Sequence, residues 1–405
     1  MSPEDELMTD RALQGPLTGL VVADFSRILA GPYATMLLAD MGATVIKVES
    51  PAGDDTRTWM PPVHRGEATY YLSINRNKKS IVLDLKDPTD LHRAHSLVQR
   101  ADIMIENFKP GQLVQFNLDY DAVRQLNPGL IVASISGFGS QEPGAKMMGY
   151  DLMIQAMSGL MSLTGEADGP PFRSGISVFD ILAGMHCTTG ILAALYERAS
   201  SGRGQHVEVS LMASALSGLA NHSNSYAMEG VVPYRMGNAH PSLFPYEPFP
   251  TGDGELVVIA GNDGQFKALV TALGRPDLAF DPDFVTNKDR TRNRDKLRPI
   301  LVELLATKSA TAWFETLTAA KVPCAPIVTV DAGVTLADQL GLAPIVTLPY
   351  RGEELRMIRH PITFSETPVT YRMAPPTIGE HTDELRAWLD SEQPVSHPST
   401  TKESE

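Results

Sequence analysis

Asp180 stands in Arg173-Ser174-Gly175-Ile176-Ser177-Val178-Phe179-Asp180-Ile181-Leu182-Ala183-Gly184, a lone carboxylate at the head of a long apolar segment. A Gly-Pro-Pro turn at 169–171 precedes it, and the segment runs helically through Ile191, Leu192 and Leu195 to Ser200-Ser201-Gly202. A carboxylate held against apolar surface is costly to bury unless something compensates it. A group so placed can act as a covalent nucleophile. The same residue can also be a helix N-cap, and a helix N-terminus would hold the carboxylate and lower its pKa. Local sequence alone favours the cap. Cys187 lies two turns further on and reads as a buried, inert thiol, because nothing near it in sequence would activate it.

Such a residue needs a scaffold. Gly19 to Phe25 reads as a buried strand, Pro32 opens a helix that Gly42 closes, and Ala43 to Val48 completes a βαβ unit. Further strands are expected at Ser80 to Leu85, Ile103 to Ile105 and Leu130 to Ile135, with helices near 88–100 and 117–126. This alternation predicts an α/β fold with a parallel sheet covered by helices on both faces. Ligands of such sheets bind at the carboxyl ends of the strands. Four ends offer Ser26-Arg27-Ile28-Leu29-Ala30-Gly31, Leu83-Asp84-Leu85-Lys86, Glu106-Asn107-Phe108-Lys109 and Ser136-Gly137-Phe138-Gly139. Cations, an amide, an aromatic ring and glycines together suit a nucleotide-bearing ligand.

The character of the chain changes near residue 229. Five prolines between 233 and 250 suggest an extended crossing. A small α+β segment follows, with a strand at Leu256 to Ile259, helices near 264–273, 292–307 and 310–320, and a closing strand around Pro326 to Val330. Strand-like runs return at 345–350 and 355–362, before a helix at Thr382 to Leu389. The expected division is a large domain at 15–228 and 335–390, interrupted by a linker and a small α+β domain at 229–334. Polar tails at 1–14 and 391–405 are expected to be disordered.

Composition excludes several classes. The 405 residues carry a formal net charge of -14, which argues against nucleic acid as partner. Two cysteines far apart exclude a disulfide framework and fit a reducing cytoplasm. The acidic start does not read as a signal peptide, and no apolar run reads as a membrane span. The first βα turn lacks G-x-G-x-x-G, against a dinucleotide-dependent dehydrogenase. No G-x-S-x-G stands at a strand-to-helix turn, against a Ser-His-Asp hydrolase. The ten histidines lack metal-ligand spacing, so no metal site is expected. Arg76-Asn77-Lys78-Lys79 reads either as a solvated face or as a patch that steers an anionic cofactor.

Taken together, Gly19 to Pro32, Gly42-Ala43-Thr44-Val45-Ile46-Lys47-Val48-Glu49, Gly53 to Trp59, Asn75 to Ile81, Glu106-Asn107-Phe108, Ser201 to Val207, Gly237-Asn238-Ala239-His240-Pro241 and Gly379-Glu380-His381-Thr382 resemble the family III CoA-transferases. Within that family, Asp54 to Trp59 and Tyr70 to Lys79 look most like the succinyl-CoA:glutarate (dicarboxylate) transferases. The resemblance implies an interlocked homodimer with CoA or acyl-CoA, as co-substrate and not a permanent cofactor, on a Rossmann-like large domain. It places the nucleophile at Asp180 and aspartyl anhydride and aspartyl-CoA thioester intermediates on it. CoA contacts would come from Leu29, Ala30, Leu83, Lys86, Asn107, Phe108, Lys109, Tyr150 and Asp151. Arg27 could clamp the second carboxylate of a dicarboxylic acid acceptor, with Gly237 and His240 also near substrate and the Gly237 loop a candidate lid. Formyl-CoA transferases carry glutamine in place of Leu29 and arginine in place of Gln115, so the resemblance points away from a formyl/oxalate pair. The same fold serves α-methylacyl-CoA racemases, isomerases that pair a histidine with aspartate where this chain has Tyr150-Asp151. A phenol with a pKa near 10 is a poor proton shuttle at neutral pH, which favours the transferase. A non-catalytic CoA-binding protein would have no need of Asp180.

Overall fold

Strands buried on both faces must be apolar almost throughout, and the first strand, Val21–Asp24, is buried at every position. The computed structural model describes residues 15–391, so the tails expected at 1–14 and 391–405 lie outside the described residues apart from Ser391. Six strands form one sheet: β1 (Val21–Asp24), β2 (Thr44–Glu49), β3 (Lys78–Val82), β4 (Ile103–Glu106), β5 (Ile131–Ser136) and β6 (His206–Ser210). Every neighbouring pair is parallel, in the order β3-β2-β1-β4-β5-β6. The chain therefore winds one way from β1 and the other way from β4. The crevice between their carboxyl ends is the topological switch point at which such sheets bind ligands.

Four helices matter for that crevice: α1 (Ala30–Asp40), α2 (Pro88–Arg100), α3 (Asp151–Met157) and α4 (Val178–Ser201). The sequence dictates α2 clearly. Asp87 accepts from the N–H groups of Thr89 and Asp90, Pro88 supplies a preset first turn, and Ala94, Leu97 and Val98 are fully buried on its inner face. Each such side chain contributes about 1.5–3 kcal/mol when fully buried, smaller alanine less. α4 ends where Gly202, at φ 69°, turns its N–H back to the Arg198 carbonyl at 2.8 Å. Its close approach to α1 requires a glycine: a Cβ on Gly184 would stand 2.6 Å from the Ala30 carbonyl oxygen. By length and hydropathy the 24-residue α4 could cross a bilayer, which the sequence reading did not anticipate. It packs instead on α1, β5 and β6, with Phe179, Ala183, Cys187, Ile191 and Ala194 buried.

Two expectations change. Arg76-Asn77-Lys78-Lys79 is neither a solvated face nor a steering patch, since Arg76, Asn77 and Lys78 are at most 2% exposed. Arg76 pairs with Asp40 at 2.7 Å, Lys78 with Asp24 at 3.3 Å and Lys79 with Glu384 at 2.7 Å. The chain at 370–381 covers β3 by bonding Asn77 and Ser80, while Asp40 and Asp24 meet the buried charges of Arg76 and Lys78. β3 also starts two residues earlier than expected, so Leu83 falls just beyond it and packs in the core beside Val48 and Ile81.

The described chain divides into two compact units. The first holds the six-stranded sheet, an antiparallel hairpin of Ile345–Tyr350 with Glu353–Ile358, and the helix Thr382–Asp390. The second comprises 159–173 and 225–342. Residues 159–173 group there because Gly165 and Glu166 accept from Gly237 N–H and Arg235 Nε, at 3.0 and 3.3 Å. Its three strands, Tyr246–Pro250, Glu255–Ile259 and Cys324–Pro326, pair antiparallel over a core that includes Phe249, Phe266, Leu301 and Trp313. The proline-rich crossing thus ends in an edge strand, where Pro248 and Pro250 leave no central ladder bond unmade. The strand expected to reach Val330 stops at Pro326, and the helix Val330–Gln339 follows.

Candidate functional site

Asp180 is the third residue of α4 and half-buried. It is not the helix cap. The N-cap residue is Ser177, whose side chain makes no capping bond. Asp151, the first residue of α3, supplies the cap from outside, its Oδ1 accepting from Phe179 N–H at 2.8 Å and Asp180 N–H at 3.2 Å. Gln155 fixes this carboxylate by donating to its other oxygen, while accepting from Ser174 N–H at 2.8 Å. The Asp180 carboxyl is left to the cleft, accepting no hydrogen bond from the described residues. Burial first, and then the like charge of Asp151, push its pKa up to about 7. This reverses the lowering expected from a helix N-terminus, because desolvation and a neighbouring carboxylate outweigh the dipole.

The cleft into which Asp180 opens, about 300 Å³, sits at the switch point. Arg27, Leu29, Ala30, Asn107, Phe108 and Tyr150 line it with Asp180. Asn107 staples the two strand ends together: its Oδ1 accepts from Arg27 N–H at 2.8 Å, and its Nδ2 donates to the Arg27 carbonyl at 2.7 Å. Ala30 begins α1, and Leu29 before it offers no side-chain cap, so the first N–H groups of α1 lack intrahelical acceptors at the edge of the cleft. Tyr150 is brought in by a backbone contact: Cβ atoms on Gly137 or Gly149 would each stand 2.3 Å from the other's Cα. The arrangement joins an unpartnered carboxyl, free helix N–H groups and an exposed Lys109, a set able to hold an anionic ligand and carry acyl transfer.

A family model described as CoA-transferase family III matches residues 17–382. The chain belongs to CoA-transferase family III. It is accordingly a transferase that uses CoA thioesters. The succinate–glutarate CoA-transferase of Agrobacterium fabrum is 42% identical over 95% of this chain and 98% of its own length. The acetyl-CoA:oxalate CoA-transferase of Acetobacter aceti is 41% identical over 80% of this chain and 83% of its own. Among solved structures, a CaiB/BaiF family protein from Brucella suis superposes with a TM-score of 0.82 at 41% identity, covering 93% of this chain and all of that one.

In this family III CoA-transferase the expected contact residues divide. Leu29, Ala30, Asn107, Phe108, Lys109 and Tyr150 line the Asp180 cleft. Asp151 stands behind it as the cap of α4, 7% exposed. Leu83 is buried in the core and Lys86 follows it beyond the end of β3; neither lines the cleft, from which β2 separates them. Arg27 lines the cleft, but its guanidinium already meets Asp55 at 3.1 Å and lies 5.8 Å from the Phe108 ring centre. Gly237, at φ 61°, and His240, whose Nδ1 accepts from Ser242 N–H at 3.0 Å, belong to the second unit. Cys187 is fully buried and its thiol is pushed up to about 12, chiefly by burial.

Sequence reasoning missed Tyr70. Burial raises its phenol, the nearby Ser177 lowers it, and Asp180 and Asp151 raise it again, so it stays a neutral O–H beside the nucleophile candidate. Trp59 braces it edge-on at 5.1 Å between ring centres. The signal was an aromatic pair at 59 and 70 in a stretch otherwise without periodicity.

Proposed function

We propose that this protein moves CoA from succinyl-CoA to a dicarboxylic acid, with Asp180 as the covalent carrier. An Asp180 carboxylate oxygen attacks the donor thioester carbonyl, the C–S bond breaks, and CoA leaves as thiolate from a mixed aspartyl anhydride. The thiolate attacks the aspartyl carbonyl, succinate leaves, and an aspartyl-CoA thioester remains. The acceptor carboxylate attacks that carbonyl and releases the thiolate again. Attack of the thiolate on the acceptor's acyl carbon then gives the new acyl-CoA and frees Asp180. No proton is consumed over the cycle. The observation that carries this reading is the Asp180 carboxyl, unpartnered and raised to about 7, in the switch-point cleft. At neutral pH a substantial fraction is ionised, yet the anion is poorly solvated and reactive. The first N–H groups of α1 would receive each oxyanion, and Asn107, Phe108 and Lys109 would bind CoA.

The test is covalent trapping. Succinyl-CoA with hydroxylamine or borohydride should modify wild type and Cys187→Ala but not Asp180→Ala; an unmodified wild type removes the covalent mechanism.

The succinate–glutarate relatives support a dicarboxylate pair, and the oxalate relative shows that the acid varies within similar sequences. Arg27 is assigned the acceptor's distal carboxylate, which would share the guanidinium with Asp55 in the fork geometry of arginine. Arg27→Met should raise the KM for glutarate on the order of 10-fold or more with kcat less affected. Equal KM values for variant and wild type would overturn that role. The interlocked homodimer is proposed as well, because Tyr196, Met228, Val232, Tyr234 and Val330 are each 68% or more exposed, an apolar display unusual on a lone chain. Sedimentation equilibrium should give twice 43.9 kDa, and a monomer mass would sink it.

A further inference from the structure

The turn that carries Arg27 and Ile28 into the cleft is fixed peptide by peptide. Lys47 Nζ donates to the Ser26 carbonyl at 3.1 Å, Asn107 holds both polar groups of Arg27, and Ile28 N–H donates to both carboxylate oxygens of Asp54, at 3.4 and 3.3 Å. Ile28 has φ 70°. A β-branched residue in this left-handed region is strained, and it stays there only where its surroundings over-determine it. Asp54 is 2% exposed and Lys47 fully buried, with Nζ and Oδ2 2.8 Å apart. Burial raises the Asp54 carboxyl, but Lys47 and the Thr56 N–H and hydroxyl hold it down at about 2. Neither Lys47 nor Asp54 lines the cleft. A buried ion pair is a weak source of stability, so its place under a strained turn calls for another role.

We propose that Asp54, oriented by Lys47, is a positioning residue for CoA transfer: it holds Ile28 in the left-handed conformation and thereby aims Arg27 and the start of α1 at Asp180. This rests on the Asp180 cleft as the transfer site, but turnover reports on the turn whichever group attacks. An asparagine at 54 that keeps its oxygen on Thr56 N–H puts its NH2 in place of Oδ2, so Ile28 N–H retains only the 3.4 Å contact to Oδ1 and meets a donor where its 3.3 Å acceptor stood. The turn then relaxes and misaligns the cleft by a fraction of an ångström to one ångström, which costs on the order of 10²-fold in kcat.

A glycine at 28 adopts positive φ without strain and no longer needs Asp54. The experiment is therefore a double-mutant cycle of Asp54→Asn with Ile28→Gly, read as kcat at saturating succinyl-CoA and glutarate. Asp54→Asn should lower kcat on the order of 10²-fold in the parent, and only a few-fold relative to Ile28→Gly alone in the glycine background. Whatever Ile28→Gly itself costs divides out. Equal losses in the two backgrounds, or no loss in either, would overturn the proposal. Because Asp54→Asn strands the buried Lys47 charge, the cycle is repeated with Lys47→Met throughout, which removes that charge. Melting temperature should then recover while kcat does not, and recovery of both would mark the pair as purely structural.

Discussion

Asp180→Asn is expected to remove CoA transfer, with kcat down on the order of 10⁴-fold or more, and at the same time to stabilise the fold at pH 8. The two effects share one cause. Burial and Asp151 keep the Asp180 proton on until about pH 7, whereas the unfolded chain loses it near 3.8. The folded state is thus the tighter proton binder. Wild-type stability on this account falls as pH rises between those values, and above 7 the whole penalty is present. Asparagine never ionises and escapes it. After allowance for partial exposure the gain is about 1–3 kcal/mol at pH 8, or a few degrees in Tm, shrinking to nothing below pH 4. Melting curves at pH 4 and pH 8 beside kcat measurements check both halves. A variant that still transfers CoA refutes the nucleophile, and one equally destabilised at both pH values refutes the electrostatic account. In the wild type, the single-turnover rate of adduct formation should climb through about pH 7, since only the carboxylate attacks.

How much of this site could be read from sequence follows from what the chain's periodicity encodes. Leu29, Ala30, Asn107 and Phe108 were legible because alternation of strands and helices predicts a parallel sheet, and a parallel sheet places ligands at its strand ends. Leu83 and Lys86 obeyed the same logic, yet strand order is not written in local sequence, and β2 stands between them and the cleft. Arg76 and Lys78 look solvated in sequence because charge usually is. Their charges are met inside by Asp40, at the end of α1, and Asp24, at the end of β1, both far off in sequence. The chain at 370–381 returns some 300 residues later to bond Asn77 between them. Asp54 and Tyr70 lie in a stretch of short turns at 50–74 with no hydrophobic period, so nothing local says that it folds back beneath β1 and beside Asp180. The Ile28 conformation was equally hidden, as glycine is the residue that normally announces positive φ.

Asp151 carries the second large effect, and its two substitutions should separate structure from electrostatics. Asp151→Ala removes the only side-chain cap described for α4, leaving the Phe179 and Asp180 N–H groups without an acceptor. A lost cap with an orphaned, buried donor costs about 2–3 kcal/mol, enough to unsettle the helix that presents Asp180. Asp151→Asn keeps an oxygen for those donors, but its NH2 faces Gln155 Nε2 and forces that amide to turn, a loss of about 1 kcal/mol. What asparagine removes is the like charge. The pH at which Asp180 becomes competent should therefore move to the acid side of 7, though by less than half the distance back to 3.8, because burial is the larger cause of the rise and remains. At pH 5.5 the asparagine variant should form the covalent adduct faster than wild type; at pH 8 it should be slower, since a less basic carboxylate is a weaker nucleophile. Single-turnover rates across pH 5–9 test this crossing. Parallel profiles that differ only in height would show that Asp151 serves α4 alone, with the raised proton affinity of Asp180 owed entirely to its burial.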